Sequence, residues 1–118
     1  MLPKTYRLKE KKDFRRIYQK GNTINTPYFV LYYRTNKNEE TRIGFSVSKK
    51  NGNAVVRNRL KRRFREACRV LLKGFPQGFD YILIVRNSAK RASYAQLLEK
   101  ILDAVGQVKL KLKAGDPK

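Results

Sequence analysis

Seven of the thirteen residues from Arg57 to Arg69 are basic: Arg57, Arg59, Lys61, Arg62, Arg63, Arg65 and Arg69. Glu66 is the only acid among them. Six of the seven are arginine, whose planar fork pairs with two phosphate oxygens or stacks on a base, whereas lysine offers a compact point charge. The chemistry to expect is recognition of a polyanion. A second set of candidates is aromatic: Phe14, Tyr18, Tyr28 and Tyr32. Rings on an open sheet are platforms for unstacked bases. The same four rings could equally pack together as core.

Other chemistries are excluded by what is missing. The chain has no histidine and a single cysteine, Cys68. Ordinary zinc sites, histidine triads and an intramolecular disulfide therefore all fall away. Cys68, beside Ala67 in a helical pattern, reads as a small semi-buried hydrophobe. The nine acids are Glu10, Asp13, Glu39, Glu40, Glu66, Asp80, Glu99, Asp103 and Asp116, and they show no compact cluster able to hold two metals for phosphodiester hydrolysis. Glu99 and Asp103 are spaced i, i+4 but read as solvated residues of the last helix. No catalytic residue and no metal ligand is expected.

The elements that must position these side chains follow from periodicity. On a helical wheel, Val56, Leu60, Phe64, Ala67 and Leu71 form one stripe, which the fold would bury. Lys61, Arg62, Arg65 and Arg69 fall opposite, and Arg57 and Arg59 flank the stripe near the N-terminus. Arg63 falls at the rim of the stripe, where its stem can run along the core edge. Like charges at i, i+4, such as Lys61 with Arg65 and Arg65 with Arg69, cost a helix a few tenths of a kcal/mol each. Function usually explains such a concentration. The helix spans residues 54–73, with Asn53 as its N-cap, the basic turn Lys49 to Asn53 before it, and Gly74 and Pro76 closing it.

A shorter helix covers Asp13 to Lys20, with Phe14, Ile17 and Tyr18 on one face and Gly21 as a left-handed stop. Residues 22–26 could form a short strand. Tyr28 to Thr35 form a stronger one, with Phe29, Leu31 and Tyr33 on one side and Tyr28, Val30, Tyr32 and Arg34 on the other. Arg42 to Ser48 return as its hairpin partner, with Ile43, Phe45 and Val47 alternating with Arg42, Gly44, Ser46 and Ser48. The second face of that hairpin mixes tyrosines with small polar residues, as an open stacking surface would. Asp80 to Arg86 form an apolar strand. Ser93 and Gln96 form a capping box for a last helix over 94–109, with the stripe Leu97, Leu98, Ile101, Leu102 and Val105. The expected fold is a two-layer α/β (α+β) sandwich of order α-β-β-β-α-β-α with a mixed sheet. It is one RNA-binding domain over 1–118, with a basic lead-in over 1–12 and a fraying basic tail over 110–118.

Composition agrees. Twenty-nine Lys and Arg against nine Asp and Glu give a net charge of +20 in 118 residues, and 41% of the chain is hydrophobic. Such self-repulsion is best tolerated when a polyanion neutralises it. No apolar run reaches the roughly 20 residues of a membrane span, and the first twenty residues lack the apolar stretch of a signal peptide. A cytoplasmic protein with no membrane partner is expected. DNA is disfavoured because no helix-turn-helix or dimer-forming segment is visible.

The segment 44–66, GFSVSKKNGNAVVRNRLKRRFRE, resembles the signature of the bacterial ribonuclease P protein family, centred on Arg57-Asn58-Arg59 and extended by Lys61, Arg62 and Arg65. The opening from Leu8 to Tyr18, the hairpin segment Phe29 to Tyr32 and the strand Asp80 to Ile84 resemble it in order and spacing. The resemblance implies the protein subunit of a ribonucleoprotein endonuclease that removes the 5′ leader from precursor tRNA. It implies that a large RNA subunit does the chemistry with Mg²⁺ and that the protein alone binds no cofactor. It places the ribonuclease P RNA on Lys49, Lys50, Arg57, Asn58, Arg59, Lys61, Arg62, Arg65 and Arg69. It places the leader in a cleft matched by Phe14, Tyr18 and Tyr32, with Ser48 nearby; Tyr28 and Ser46, on the same sheet face by alternation, are taken as part of that leader-binding cleft. It also implies a left-handed crossover around the long helix, against the general right-handed rule. A stand-alone RNA chaperone or ribosome-associated RNA-binding protein is the alternative reading.

Overall fold

The computed structural model describes residues 11–36 and 40–113. Residues 1–10, 37–39 and 114–118, which include most of the expected lead-in and part of the expected tail, lie outside them. The elements run α1 (Lys11–Lys20), β1 (Asn22–Asn25), β2 (Phe29–Thr35), β3 (Arg42–Ser46), α2 (Ala54–Val70), β4 (Phe79–Val85) and α3 (Tyr94–Lys113). Short 3₁₀ turns occupy Lys49–Asn51, Leu72–Gly74 and Asn87–Arg91. The order is the expected α-β-β-β-α-β-α. The last helix extends to Lys113, so the tail expected from residue 110 is helical for its first four positions.

The sheet order is β1-β2-β4-β3. β1 and β4 flank β2 antiparallel, while β3 runs parallel to β4. The expected hairpin of β2 with β3 is therefore absent, because β4 lies between them. The reason is composition. Tyr81, Ile82 and Leu83 are buried whichever way they point, and a strand apolar on both faces belongs at the centre of a sheet. β3, with Gly44 and Ser46 on one side, suits an edge. The β3-α2-β4 connection is the crossover that parallel neighbours require.

Pleating gives the sheet two distinct faces. One carries Phe29, Leu31, Tyr33, Ile24, Ile43, Tyr81, Leu83 and Val85, all buried in one cluster with residues of α2 and α3. From α2 come Leu60, Phe64, Ala67 and Cys68, and the rings of Phe29 and Phe64 meet edge to face at 5.8 Å. Burial pushes the Cys68 thiol pKa well up, so it behaves as the small hydrophobe expected. From α3 come Leu97, Ile101, Ala104, Val105 and Val108. Leu102, assigned to this stripe by sequence, is exposed. It lies about 100° round the helix from Ile101, and Ala104 and Val108 continue the stripe instead.

The caps hold as expected. Asn53 Oδ1 accepts from Val56 N at 3.0 Å, and Ser93 and Gln96 exchange bonds of 3.1 and 2.8 Å. Gly21 does not hold as expected, for its φ is not positive. Its amide donates to Ile17 O at 2.7 Å, and a Cβ there would stand 2.5 Å from that oxygen and 3.1 Å from Tyr33 O. Glycine is required by close approach, not by a left-handed backbone.

Candidate nucleic-acid interface

Among the described elements, α1 alone covers the other sheet face. Ladder partners share a face, so the register arranges it in three rows. Val30, Ile84 and Ser46 form the first, Tyr32, Ile82 and Gly44 the second, and Arg34, Asp80 and Arg42 the third. Helix α1 sits down on this surface through Ile17, which is buried against Ile82. At about 100° per residue, Arg16 and Tyr18 leave the helix on opposite sides of Ile17. Tyr18 reaches the first two rows and Arg16 the third.

On the Tyr18 side the rings gather as the sequence suggests. Tyr18 and Tyr32 meet edge to face with centroids 5.2 Å apart, and Phe14 meets Tyr18 at 6.3 Å. Partial burial raises the Tyr18 phenol pKa, and the neighbouring Ser46 hydroxyl partly offsets it, so the phenol stays neutral at physiological pH. Tyr18 remains 39% exposed and Tyr32 half-buried. These are rings held in place with surface to spare. Tyr28 is not part of this group. It packs against the larger core on the opposite face, and its carbonyl accepts from Arg86 N at 2.9 Å. It stands just before β2, where the strict alternation that placed it among the cleft residues does not yet apply. Ser48 is exposed beyond Val47 and opens the 3₁₀ turn, its carbonyl accepting from Asn51 N at 3.0 Å.

That turn links the cleft to the arginine helix. Lys49 and Lys50 are exposed on it, while Asn51 is buried and donates from Nδ2 to Val85 O at 3.4 Å. Gly52 follows at φ 132°, a conformation other residues rarely adopt. Asn53 then caps α2, so the basic turn is pinned at both ends. On α2, Asn58, Arg59 and Arg62 are exposed, and Arg57, Lys61 and Arg65 are half-buried. Arg57 Nε is sealed from solvent with no hydrogen-bond partner among the described residues.

Arg69 and Arg63 are already committed to partners among the described residues. Arg69 forks onto Glu66, with Nη2 to Oε2 at 2.5 Å, and these bonds hold the Glu66 carboxyl at a pKa of about 2. Arg63 donates from Nη2 to the carbonyl of Ala92 at 2.7 Å and so ties α2 to the start of α3. The rim position of Arg63 was visible on the wheel; its acceptor was not.

Sequence reasoning missed the third row. Arg42 grips Asp80 with two bonds, Nε to Oδ1 at 2.9 Å and Nη2 to Oδ2 at 2.7 Å, and Asn36 Nδ2 adds a third to Oδ1 at 3.0 Å. Asp80 is 6% exposed. A lone acid opening an otherwise apolar strand was the available signal, since buried carboxylates require partners. Elsewhere, Asp103 lies 3.9 Å from Lys100 and Glu99 is exposed, in keeping with solvated residues. Among the described residues no three His, Cys, Asp or Glu come together to hold a metal ion, and no helix is long and apolar enough to cross a membrane.

The ribonuclease P family profile matches residues 2–109, nearly the whole chain. The chain belongs to the ribonuclease P protein family. It is 45% identical over 97 residues to the ribonuclease P protein component of Carboxydothermus hydrogenoformans, covering 80% of this chain and 84% of that one. It is 44% identical over 103 residues to that of Streptococcus agalactiae, covering 86% and 91%. Among solved structures it resembles a Staphylococcus aureus RNase P protein mutant with defective mRNA degradation activity, at TM-score 0.82 and 39% identity, covering 90% of both chains. It also resembles the RNase P protein of Thermotoga maritima, at TM-score 0.79 and 33% identity, covering 86% and 96%. The α+β architecture with a mixed four-stranded sheet is therefore that of the family.

Proposed function

We propose that the chain acts in the ribonucleoprotein that removes the 5′ leader from precursor tRNA, binding the catalytic RNA through α2 and the leader through the Tyr18–Tyr32 cleft. The observation that carries this reading is the continuity of the two surfaces. The first row of the open sheet face ends at Ser46, and four residues later the chain reaches Lys50 in the turn that precedes α2. A strand lying across Tyr32 would leave the cleft beside the basic turn. Base–aromatic stacking tolerates any sequence, which suits an enzyme facing many different leaders. Arg57, Asn58, Arg59, Lys61, Arg62 and Arg65, with Lys49 and Lys50, then face the RNA subunit. Arg69 joins them only by leaving Glu66.

On this reading Mg²⁺ belongs to the RNA-containing holoenzyme. Among the described residues, Glu66 and Asp80 are both engaged by arginine. What the protein supplies is substrate binding and charge neutralisation.

The test is reconstitution. The protein alone leaves precursor tRNA intact at physiological Mg²⁺, and adding the cognate RNA gives accurate 5′ cleavage. Tyr32→Ala in the holoenzyme weakens binding of precursor tRNA with a leader of several nucleotides by about 1–3 kcal/mol, while mature tRNA binds as before. Cleavage by RNA-free protein, or equal losses for the two tRNAs, contradicts the assignment.

A further inference from the structure

On the Arg16 side of α1, a cavity of about 290 Å³ opens over the third row, lined by Arg16, Ile17, Arg34, Asn36, Arg42 and Asp80 among others. We infer that this cavity is a phosphate-binding site, separate from the aromatic cleft and from the arginine helix. Its charge is unbalanced in a specific way. Asp80 neutralises Arg42, and its two oxygens are taken up by Arg42 and Asn36. Arg34 stands opposite Asp80 in the β2–β4 ladder but has no ion pair among the described residues, and neither has Arg16. Among the described residues the cavity therefore carries two guanidinium groups without an ion-pair partner.

Their placement selects the anion. Arg34 rises from the sheet and is half-buried; Arg16 comes from the helix lying over it. A planar carboxylate fills one guanidinium fork. A tetrahedral phosphate presents oxygens in several directions and can satisfy forks from two walls at once. Partial enclosure strengthens each such bond relative to open water. The Arg42–Asp80–Asn36 network holds the floor of the cavity in place before the anion arrives. The volume lies at the lower end of small-ligand sites and accommodates a phosphate with part of the group it is esterified to. The site does not depend on the proposed role in leader removal, because small-anion binding is a property of the folded chain.

With a net charge of +20, anions will gather loosely everywhere, so the experiment must localise them. Backbone amide spectra of the purified protein are recorded while inorganic phosphate is added at constant ionic strength. Saturable shifts are expected at Arg34, Thr35, Asn36 and Asp80. R34Q and R16Q should each weaken phosphate binding at least fivefold, and R91Q, which removes one charge from the distant turn, should not. Arg16 is exposed on α1, so R16Q carries the test if R34Q folds poorly. A single-stranded RNA pentamer with a 5′-phosphate, compared with its 5′-hydroxyl twin, identifies the source. A gain from the phosphate that R16Q abolishes means a terminal phosphate; equal binding of both, weakened alike by R16Q, means a backbone phosphate. Shifts confined to α2, or equal losses in R16Q, R34Q and R91Q, would overturn the site.

Discussion

Against one face of the sheet, α2 and α3 bury Phe29, Leu31, Tyr33, Tyr81 and Leu83 to 1% exposure or less. Against the other, α1, alone among the described elements, buries Ile82 with Ile17 and leaves Phe14, Tyr18, Tyr32 and Ile84 partly open. The same strands furnish both faces, and alternation assigns each side chain to one or the other. Stability is concentrated where two helices close the sheet. On the other face a single helix acts as a spacer, leaving room for ligands along both of its sides.

That comparison breaks most visibly at Phe64. Phe64→Ala removes a fully buried ring that packs on Phe29, and about 3–5 kcal/mol of stability should go with it. Urea unfolding measures this. A loss below about 1 kcal/mol would mean the closed face is not the main store of stability. A smaller energetic effect, read in binding rather than folding, is expected from Arg59 and Arg62. Both are exposed on α2, so replacing them together with Ala should shift melting little. The logarithmic salt dependence of RNA-subunit binding should flatten by about 0.7–0.9 for each phosphate that is no longer neutralised. Unchanged binding with a collapsed melting temperature would make this surface structural. The smallest effect concerns Glu66. Its pKa in the folded chain, about 2, lies below the ordinary glutamate range, so the pair with Arg69 is formed at neutral pH and is lost only as pH falls toward that value. The pair is solvent-exposed, so stability should scarcely respond. Carboxyl titration by NMR should find Arg69→Gln raising the Glu66 midpoint toward the ordinary range; a midpoint that stays near 2 would mean that Arg69 is not the main cause.

Much of this was legible in the sequence because it is written in short-range periodicities. The α2 stripe, the Asn53 cap and the Ser93–Gln96 box each follow from residues a few positions apart, whereas the meeting of Phe14 and Tyr18 with Tyr32 was implied by the family resemblance. What stayed hidden depends on partners distant in the chain. Nothing local says that β4 inserts between β2 and β3, although its apolar run on both faces was consistent with a central place. Arg63 finds its acceptor 29 residues away and Arg42 finds Asp80 38 residues away. Tyr28 misled because strict alternation was extended one residue beyond the strand. Arg34 was placed on the correct side beside Tyr32, but its row has meaning only once Asp80 and Arg42 are seen as its neighbours.

The close approach at Gly21 gives α1 a fulcrum. The helix rests there against the backbone of Tyr33, with no room for a Cβ beside the Ile17 carbonyl. Gly21→Ala would have to lift or tilt the C-terminal end of α1, and a rigid helix tilted at one end moves along its whole length. The aromatic cleft and the arginine-lined cavity lie on either side of that helix, so widening one narrows the other. A single methyl group, set against Ile17 at the seam between them, would thereby shift the balance of space between the two.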